Sequence, residues 1–366
     1  MVNGTSLINY YPMKNIAQKV LFLLLIIFSS CSSTYHFSVE IQEPAAVTLP
    51  VSAQNVLILN NTLTQPIEYG IERKLDGKSI SSDYPLSLDS AAWSAIDEIS
   101  YILGKSDFFN TVAVYNQSLR KDNEWLSILQ LSTEQKNELF DIGNYNALLV
   151  IDRLLISLNQ NVTKIKLDVF NSFLSAFVDL RAYGILTCSM YTPENEKQLI
   201  RFVVSDSLFA KSTIYTDSTE IFKDIPNYIL HELSYNLGSK VANCFIPSWK
   251  SVDRFLFISQ NPRMREAVSY AANYKWVNAE SIWKTQLDKN NKPVENAKIA
   301  YNLAVANEMQ DKFDTALEWI LKAKEYMKNV NIDNNSQETE RIDKYTTELG
   351  QRVQNNRLLD LQFGKK

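Results

Sequence analysis

The segment NVLILNNT, residues 55–62, is a continuous apolar run that ends in asparagines. A later segment, ALLVID at 147–152, has the same character, and TVAVYN at 111–116 is predicted to be a further strand. Strands that are covered on both faces have short, uninterrupted apolar sequences of this kind. NVLILNNT and ALLVID are therefore predicted to be strands that are buried on both faces.

Two helices are predicted between these strands. The first has apolar residues at helical spacing, among them Ile96 and Leu103, and is expected to end at Gly104. The second is STEQKNELFDIG, residues 132–143, which begins with the Ser-x-x-Gln pattern of a capping box. The order strand, helix, strand, helix, strand predicts a mixed sheet that is covered by helices.

The chain continues with longer, alternating strands at 163–170, 176–191 and 197–206, and then with a helix at 226–245. This order of elements resembles the periplasmic α/β domain of the curli-secretion lipoprotein and the amino-terminal domain of TolB-like proteins. The strand at 147–152 and the closing helix carry the resemblance. It implies a component of an oligomeric secretion or assembly apparatus.

The carboxy-terminal third is predicted to be helical. Segments 265–287 and 297–327 align on each other with an offset of about 37 residues, close to one helical repeat. The aligned pairs are Ala267 with Ala304, Ala279 with Ala316, and Trp283 with Ile320. Small residues at these places allow two helices to approach closely. The pattern resembles a tetratricopeptide repeat, and a generic helical hairpin is the alternative.

A stack of such hairpins implies a groove for a protein or peptide partner, and the candidate residues for it are Tyr270, Tyr301 and Asn307. A last amphipathic helix, which contains Ile342 and Leu349, is expected to cap the stack. The predicted fold class is α+β, with a mixed-sheet α/β sandwich domain at 55–250 followed by an all-α, tetratricopeptide-like domain at 255–366.

The beginning of the chain has the features of a secretion signal. Residues 1–12 are interpreted as an upstream extension, and residues 13–30 as a signal whose apolar core is too short to cross a bilayer. Small residues before Cys31 resemble a bacterial lipobox, which implies that Cys31 carries the lipid anchor. An ordinary cleaved signal is the alternative. Residues 31–54 are expected to be a lipidated tether.

The sequence PAAVTLP, residues 44–50, follows this cysteine closely. Together with the two predicted domains, it resembles a family of uncharacterised lipoproteins of Gram-negative bacteria. The resemblance implies an anchored envelope protein, with the outer membrane as its expected location, and it implies no activity.

The composition excludes several functions. The net charge is −4, which leaves no excess of basic residues for nucleic acid. The two histidines, His36 and His231, are too few for most zinc or serine–histidine sites, and HELSYN at 231–236 lacks the second histidine of a zincin. No phosphate-binding motif occurs. We therefore expect no cofactor and no enzymatic activity.

Three features leave alternatives open. Asp152 ends a predicted strand, where either a catalytic carboxylate or a turn residue could be found. Trp249 is the best candidate for an exposed aromatic ring, which would suit a glycan-binding or glycan-hydrolysing lipoprotein, and core packing is the alternative. Cys188 and Cys244 could form a disulfide in an oxidising compartment or remain free in apolar surroundings.

Overall fold

A computed structural model describes residues 34–80, 84–117, 119–167, 174–194, 198–217, 219–289, 292–328, 330 and 336–364. The chain divides into two compact units. We call Gln42–Trp249 with the residues from Asn355 onward the sheet unit, and the residues through Ile41 with Lys250–Gln354 the helical unit. Cys31 and the predicted signal lie outside the described residues.

The fold is α+β, as the sequence predicts. The strands in the described part of the chain are β1 (Thr34–Glu43), β2 (Asn55–Asn60), β3 (Ile71–Leu75), β4 (Lys78–Ser79), β5 (Thr111–Tyr115), β6 (Ala147–Leu167), β7 (Leu174–Tyr191), β8 (Ile200–Thr216) and β9 (Ser248–Phe257). The helices there are α1 (Leu88–Lys105), α2 (Thr133–Asp141), α3 (Ile225–Asn243), α4 (Pro262–Ala272), α5 (Trp276–Gln286), α6 (Pro293–Glu308), α7 (Phe313–Lys328) and α8 (Ser336–Gln362).

The sheet unit is organised around the long strand β6. One edge of β6 pairs with β2 through residues 147–151 and then with β3 through residues 158–162, both in parallel. Its other edge pairs with β7, and β7 pairs with β8, both antiparallel. β5 extends the sheet beyond β2, and β4 extends it beyond β3. A single strand thus has two successive neighbours along the same edge.

The Gln65 side chain fills the gap between these two neighbours. Its amide accepts a hydrogen bond of 2.9 Å from the Ile156 backbone N–H and donates one of 2.8 Å to the Ile156 carbonyl oxygen. The register of β6 against β7 shifts between Ile151 and Arg153, so Asp152 is a β-bulge at the place where β2 ends. A bulge redirects the side chain of the extra residue, and here that residue is Asp152.

Helices cover both faces of the central strands. Val56 and Ile58 of β2 pack in the core formed with α1 and α3, whereas Leu57 and Leu59 pack on the opposite face with Leu139 of α2. The continuous apolar run that opens β2 is therefore buried on both sides. This arrangement confirms the predicted burial of β2 and of the first part of β6. The predicted strand at 111–116 is present as β5, at the edge of the sheet, and both predicted helices are present.

The structure also differs from the expected layout of the sheet unit. The predicted strand at 147–152 and residues 163–167 of the predicted strand at 163–170 are joined as β6, because the ladder continues when its neighbour changes from β2 to β3. Residues 168–170 lie outside the described residues. β3 and β4 lie between β2 and α1, in a segment for which the sequence predicts no strand. Gly104 lies inside α1, which continues to Lys105. The capping box of α2 is present as predicted.

The helical unit contains two helical hairpins, α4–α5 and α6–α7, and the first part of α8. All six residues of the three aligned pairs are completely buried in its core. Ile342 and Leu349 of α8 pack in the same core, as expected for the last amphipathic helix. β1 and β9 form a two-stranded sheet that the sequence did not predict for this part of the chain.

The predicted tether at 31–54 has regular structure where it is described. Over Thr34–Glu43 it forms β1, along which apolar and polar residues alternate. Farther on, Ala45 and Leu49 are buried in the sheet unit. The Gln362 side chain bonds both the N–H and the carbonyl oxygen of Ala45 at 3.0 Å. The PAAVTLP stretch is therefore part of a folded core and not of a linker.

Candidate functional site

An apolar groove on the helical unit is the first candidate for a binding site. It has a volume of about 360 Å³. We call it the aromatic groove, and its lining residues are Tyr35, Phe37, Ser38, Val39 and Glu40 of β1, Ala271 and Ala272 of α4, and Tyr274, Trp276 and Met309. This volume is in the range of sites that bind small ligands or peptide side chains.

Alternation along β1 supplies the floor of the aromatic groove. Tyr35, Phe37 and Val39 are half-buried, whereas His36, Ser38 and Glu40 are exposed. The Phe37 ring lies 5.6 Å from the Trp276 ring and 6.0 Å from the Tyr35 ring, measured between centroids. The aromatic rings therefore form a continuous apolar surface that remains partly open to solvent.

Tyr274 stands at the rim of the aromatic groove in an unfavourable backbone conformation. Its φ is +59°, in the left-handed region that residues other than glycine, asparagine and aspartate rarely adopt. The N–H of Tyr274 bonds the Ala271 carbonyl at 2.9 Å, and the N–H of Lys275 bonds the Tyr270 carbonyl at 2.9 Å. These bonds form a Schellman motif that ends α4 and holds the tyrosine in place.

The second helical hairpin has the same turn with a residue that suits it. Asp311 follows Tyr274 by the repeat offset of about 37 residues and has a φ of +57°. The other described residues with positive φ, glycines excepted, are also aspartate or asparagine, so Tyr274 is the exception among them. Its side chain is 84% exposed and gains nothing from core packing. A strained, exposed aromatic residue beside a groove points to a binding role.

Two of the residues predicted to line a groove do not line the aromatic groove. Tyr301 and Asn307 are buried to within 1% of their surface, so neither side chain faces a partner. The reason is that β9 and α8 cover this face of α6: the Tyr301 ring lies 4.7 Å from the Phe255 ring and 4.9 Å from the Tyr345 ring. Tyr270 is half-buried against the same core.

A buried polar cluster in the sheet unit is the second candidate. Ser189 on β7 donates a hydrogen bond of 2.5 Å to the carboxylate of Asp152, and the Arg201 Nε donates one of 3.1 Å to the Ser189 hydroxyl. The Arg201 Nε also lies 3.7 Å from the Asp152 carboxylate. Ser189 and Arg201 are paired across β7 and β8, so the sheet register brings the three groups together.

The chemistry of this cluster is limited by burial. Burial raises the pKa of Asp152 to about 6, although the Ser189 hydrogen bond and the Arg201 charge act in the opposite direction. A carboxylate with such a pKa can act as a general acid or base. However, Asp152 is only 1% exposed, and glycoside hydrolysis needs a second carboxylate. Ser189, Arg201 and Arg153, the groups that lower the pKa of Asp152 against the effect of burial, include no carboxylate.

The structure also gives the surroundings of the other residues that stand out in the sequence. Trp249 is 67% exposed, in agreement with its selection as an exposed ring. Cys188 and Cys244 are free thiols, and burial raises the pKa of both. His231 lies exposed on α3 and stacks on Tyr235. Among the described residues, no group of three or more metal-ligating side chains is arranged to hold an ion.

Two sequence families match this α+β chain. The domain of unknown function DUF8603 matches residues 53–257, more than half of the chain, and the domain of unknown function DUF6340 matches residues 265–351. The chain belongs to the DUF8603 family. A comparison with curated proteins finds no match.

Three solved structures show a limited similarity. A neuraminyllactose-binding hemagglutinin homologue from Helicobacter pylori has 15% identity and a TM-score of 0.25, over 53% of this chain and 86% of that chain. The PelC dodecamer from Paraburkholderia phytofirmans has 11% identity and a TM-score of 0.21, over 58% and 98%. A DUF330 protein from Xanthomonas campestris has 10% identity and a TM-score of 0.24, over 56% and 91%. TM-scores this low support no conclusion about function.

Proposed function

We propose that this protein is a lipid-anchored component of the bacterial cell envelope that binds a partner protein through its helical unit and catalyses no reaction. Cys31 carries the anchor, and the outer membrane is the expected location. The protein needs no cofactor and does not bind nucleic acid. Its helical hairpins act as tetratricopeptide repeats do, because they form a surface that binds another polypeptide.

The observation that carries this proposal is the position of Tyr274 at the rim of the aromatic groove. Its left-handed φ costs stability, and its side chain is exposed rather than packed. Phe37 and Trp276 place further aromatic surface beside it. Aromatic residues are enriched where proteins recognise one another, because they bury a large area at a small entropic cost.

The anchor is supported by the small residues before Cys31 and by the short apolar segment that precedes them. Over the described residues, no helix combines the length and apolar character that a membrane crossing requires. Stable attachment by lipid needs more than one acyl chain, which a lipobox cysteine receives on its sulfur and amine.

Metabolic labelling with a clickable fatty-acid analogue tests the anchor. The full-length protein and Cys31→Ala are expressed side by side, and the Cys188→Ala variant is the control for a thiol elsewhere in the chain. Label is expected on the wild type and on Cys188→Ala, and absent from Cys31→Ala. Equal labelling of Cys31→Ala, or no labelling of the wild type, would remove the anchor from the proposal.

Affinity purification from detergent-solubilised membranes tests the binding role. Wild type is compared with Tyr274→Asn, and Tyr228→Asn is the control because Tyr228 is a similarly exposed tyrosine on α3 of the sheet unit. A specific partner is expected to be retained by wild type and by Tyr228→Asn and to be depleted with Tyr274→Asn. Retention of the same proteins by all three would contradict a role for the groove.

A second candidate function is oligomeric assembly, as in the curli-secretion lipoprotein that the sheet unit resembles in sequence order. The observation that favours it is an exposed apolar face on β7 and β8, where Tyr183, Val203, Phe209 and Tyr215 are all at least 45% exposed. Their spacing places the three β8 residues on one face of that strand. Mass determination in detergent distinguishes the two functions, because an assembly ring contains many copies.

A third candidate, a glycan-binding or glycan-hydrolysing lipoprotein, is favoured only by the exposed ring of Trp249. Exposed aromatic rings offer an apolar face with a polar edge, which suits sugar stacking. Binding of soluble cell-wall fragments by wild type and by Trp249→Ala would distinguish it from the other two.

A further inference from the structure

We propose that the aromatic groove accepts an extended strand of the partner protein, which hydrogen-bonds to the free edge of β1 and inserts alternate apolar side chains beside Phe37 and Trp276. This inference rests on the proposed binding function and specifies the conformation and chemistry of the bound segment. It makes recognition a case of β-strand addition.

β1 offers an unpaired edge to such a segment. Within the described residues, β1 pairs with β9 alone. Ser38 bonds Asp253 at 2.8 Å and the His36 ring contacts the Phe255 ring, so the two strands run antiparallel. No residue of β9 lines the aromatic groove, whereas the consecutive residues 37–40 of β1 do. Successive residues point to opposite faces of a strand, so a groove that all of them line runs along the strand edge.

The unpaired edge determines the conformation of the occupant. A row of free backbone N–H and C=O groups is satisfied only by another extended backbone, because a helix uses these groups internally. The floor of half-buried aromatic rings then receives every second side chain of the added strand. Ala271 and Ala272 also line the groove, and their small side chains leave room for those of the added strand.

The charges favour basic residues on the solvent side of the occupant. Glu40 is exposed on the outer face of β1, beside the exposed Ser38. A lysine or arginine on the added strand opposite Glu40 gains a cross-strand pair of opposite charge, whereas an acidic residue there is disfavoured. The occupant is therefore an extended segment in which apolar residues alternate with basic ones.

A second copy of β1 is a poorer occupant than a free segment. In each copy α4 and α5 lie against the face of β1 that carries Tyr35 and Phe37. If two β1 strands paired edge to edge about a two-fold axis, α4 and α5 of both copies would lie on the same face of the paired strands. The two pairs of helices would then compete for the same space. A segment without flanking helices does not meet this obstacle.

Binding of a synthetic peptide tests the inference. The probe is an acetylated, amidated peptide of about eight residues in which valine and lysine alternate, a length that spans the described edge at strand spacing. Its affinity for the full-length protein in detergent is measured by isothermal titration calorimetry. Saturable binding with a dissociation constant below about 1 mM is expected. Absence of binding up to that concentration overturns strand addition.

Two N-methylated forms of the peptide test the hydrogen bonds directly. Methylation of every second amide removes the donors from one edge of the strand, and methylation of the other amides removes them from the opposite edge. One form is expected to lose roughly tenfold in affinity and the other to bind like the parent. Equal affinity of both forms would show recognition by side chains alone and would overturn the inference.

Matched variants and a mass measurement complete the test. Tyr274→Asn is expected to weaken peptide binding several-fold, whereas Asp311→Asn, at the equivalent turn, leaves it unchanged. A dimer that the peptide dissociates would assign the edge to a second copy and overturn the inference. If the peptide fails while Tyr274→Asn still depletes a membrane partner, strand addition is wrong and the proposed binding function stands; if both fail, both are wrong.

Discussion

Arg254 on β9 and Glu308 at the end of α6 form a bidentate ion pair that is completely enclosed in the helical unit. The Arg254 Nε and Nη2 donate hydrogen bonds of 2.9 and 3.0 Å to the two carboxylate oxygens of Glu308. Tyr345 of α8 donates a further bond of 2.7 Å to the same carboxylate. One buried carboxylate therefore ties a strand and two helices together, on the face of the core next to Tyr301.

Substitution of Glu308 by glutamine is expected to destabilise the helical unit by about 3 kcal/mol or more, because Arg254 would keep its charge in a buried site without its main partner. Glu348→Gln is the matched control. Glu348 also bonds Arg254, at 3.0 Å, but its side chain is 39% exposed, so the expected cost is less than about 1 kcal/mol. Urea denaturation followed by hydrogen exchange in α6 measures both. An equal loss of stability in the two variants would mean that burial of the Glu308 ion pair makes no difference.

The Asp152 cluster predicts a pH dependence of stability. Because burial raises the folded pKa of Asp152 to about 6, its protonated form is favoured in the folded state. The stability that this group contributes is fully present below its usual pKa and is lost as the pH rises through about 6. Replacement by asparagine removes this loss, which amounts to about 3 kcal/mol.

Thermal unfolding between pH 4 and pH 8 checks this prediction, with the pH limits chosen to span a pKa of about 6. Wild type should lose stability across that interval relative to Asp152→Asn. Asp179→Asn is the control, since Asp179 pairs with the exposed Arg181 on the same sheet, and it should keep the wild-type profile. Parallel profiles for wild type and Asp152→Asn would show that Asp152 is ionised in the folded protein.

The close contact between α1 and α3 depends on Gly238. A Cβ at this position would lie 2.4 Å from the Ala95 carbonyl oxygen, a backbone atom that cannot move aside easily. Gly238→Ala is therefore expected to cost about 1–3 kcal/mol. Gly350→Ala is the control, because nothing lies within 4 Å of a Cβ there, and alanine in a helix is favoured by up to about 1 kcal/mol. Melting temperatures that shift in the same direction would contradict this reasoning.

Tyr274 predicts a trade-off between stability and binding. Asparagine tolerates a positive φ better than tyrosine does, so Tyr274→Asn is expected to raise the stability of the helical unit by about 1 kcal/mol. Asp311→Asn should be close to neutral, since both residues suit the turn. Chemical denaturation checks both variants. A loss of stability in Tyr274→Asn would mean that the side chain contributes to packing and is not reserved for a partner.

Much of the sheet unit could be predicted from the sequence because its signals are local. The uninterrupted apolar run of β2 indicates burial on both faces, and the capping box of α2 marks a helix start within four residues. The length of β6 could not be predicted in this way. It depends on β3, a short strand with little apolar pattern, which pairs with β6 beyond the end of β2.

The candidate site was harder to predict because its residues come from distant parts of the chain. The alternation of Tyr35, Phe37 and Val39 does indicate a strand, but nothing local indicates that β1 pairs with β9, more than two hundred positions later. The sequence predicts Tyr301 to line a groove, and this prediction is wrong because β9 and α8 cover that face of α6. Helical spacing cannot reveal such a cover. The only local signal for the site is a tyrosine at the turn position that the second hairpin fills with Asp311.

Photo-crosslinking in intact cells tests most directly whether the aromatic groove binds a partner. A benzoylphenylalanine is incorporated at position 274 of the full-length, anchored protein, and at position 228 as the control. A discrete crosslinked product that excess valine–lysine peptide suppresses is expected from position 274, and none is expected from position 228. The absence of a product at position 274, or the same product at both positions, would contradict binding of a partner at the aromatic groove.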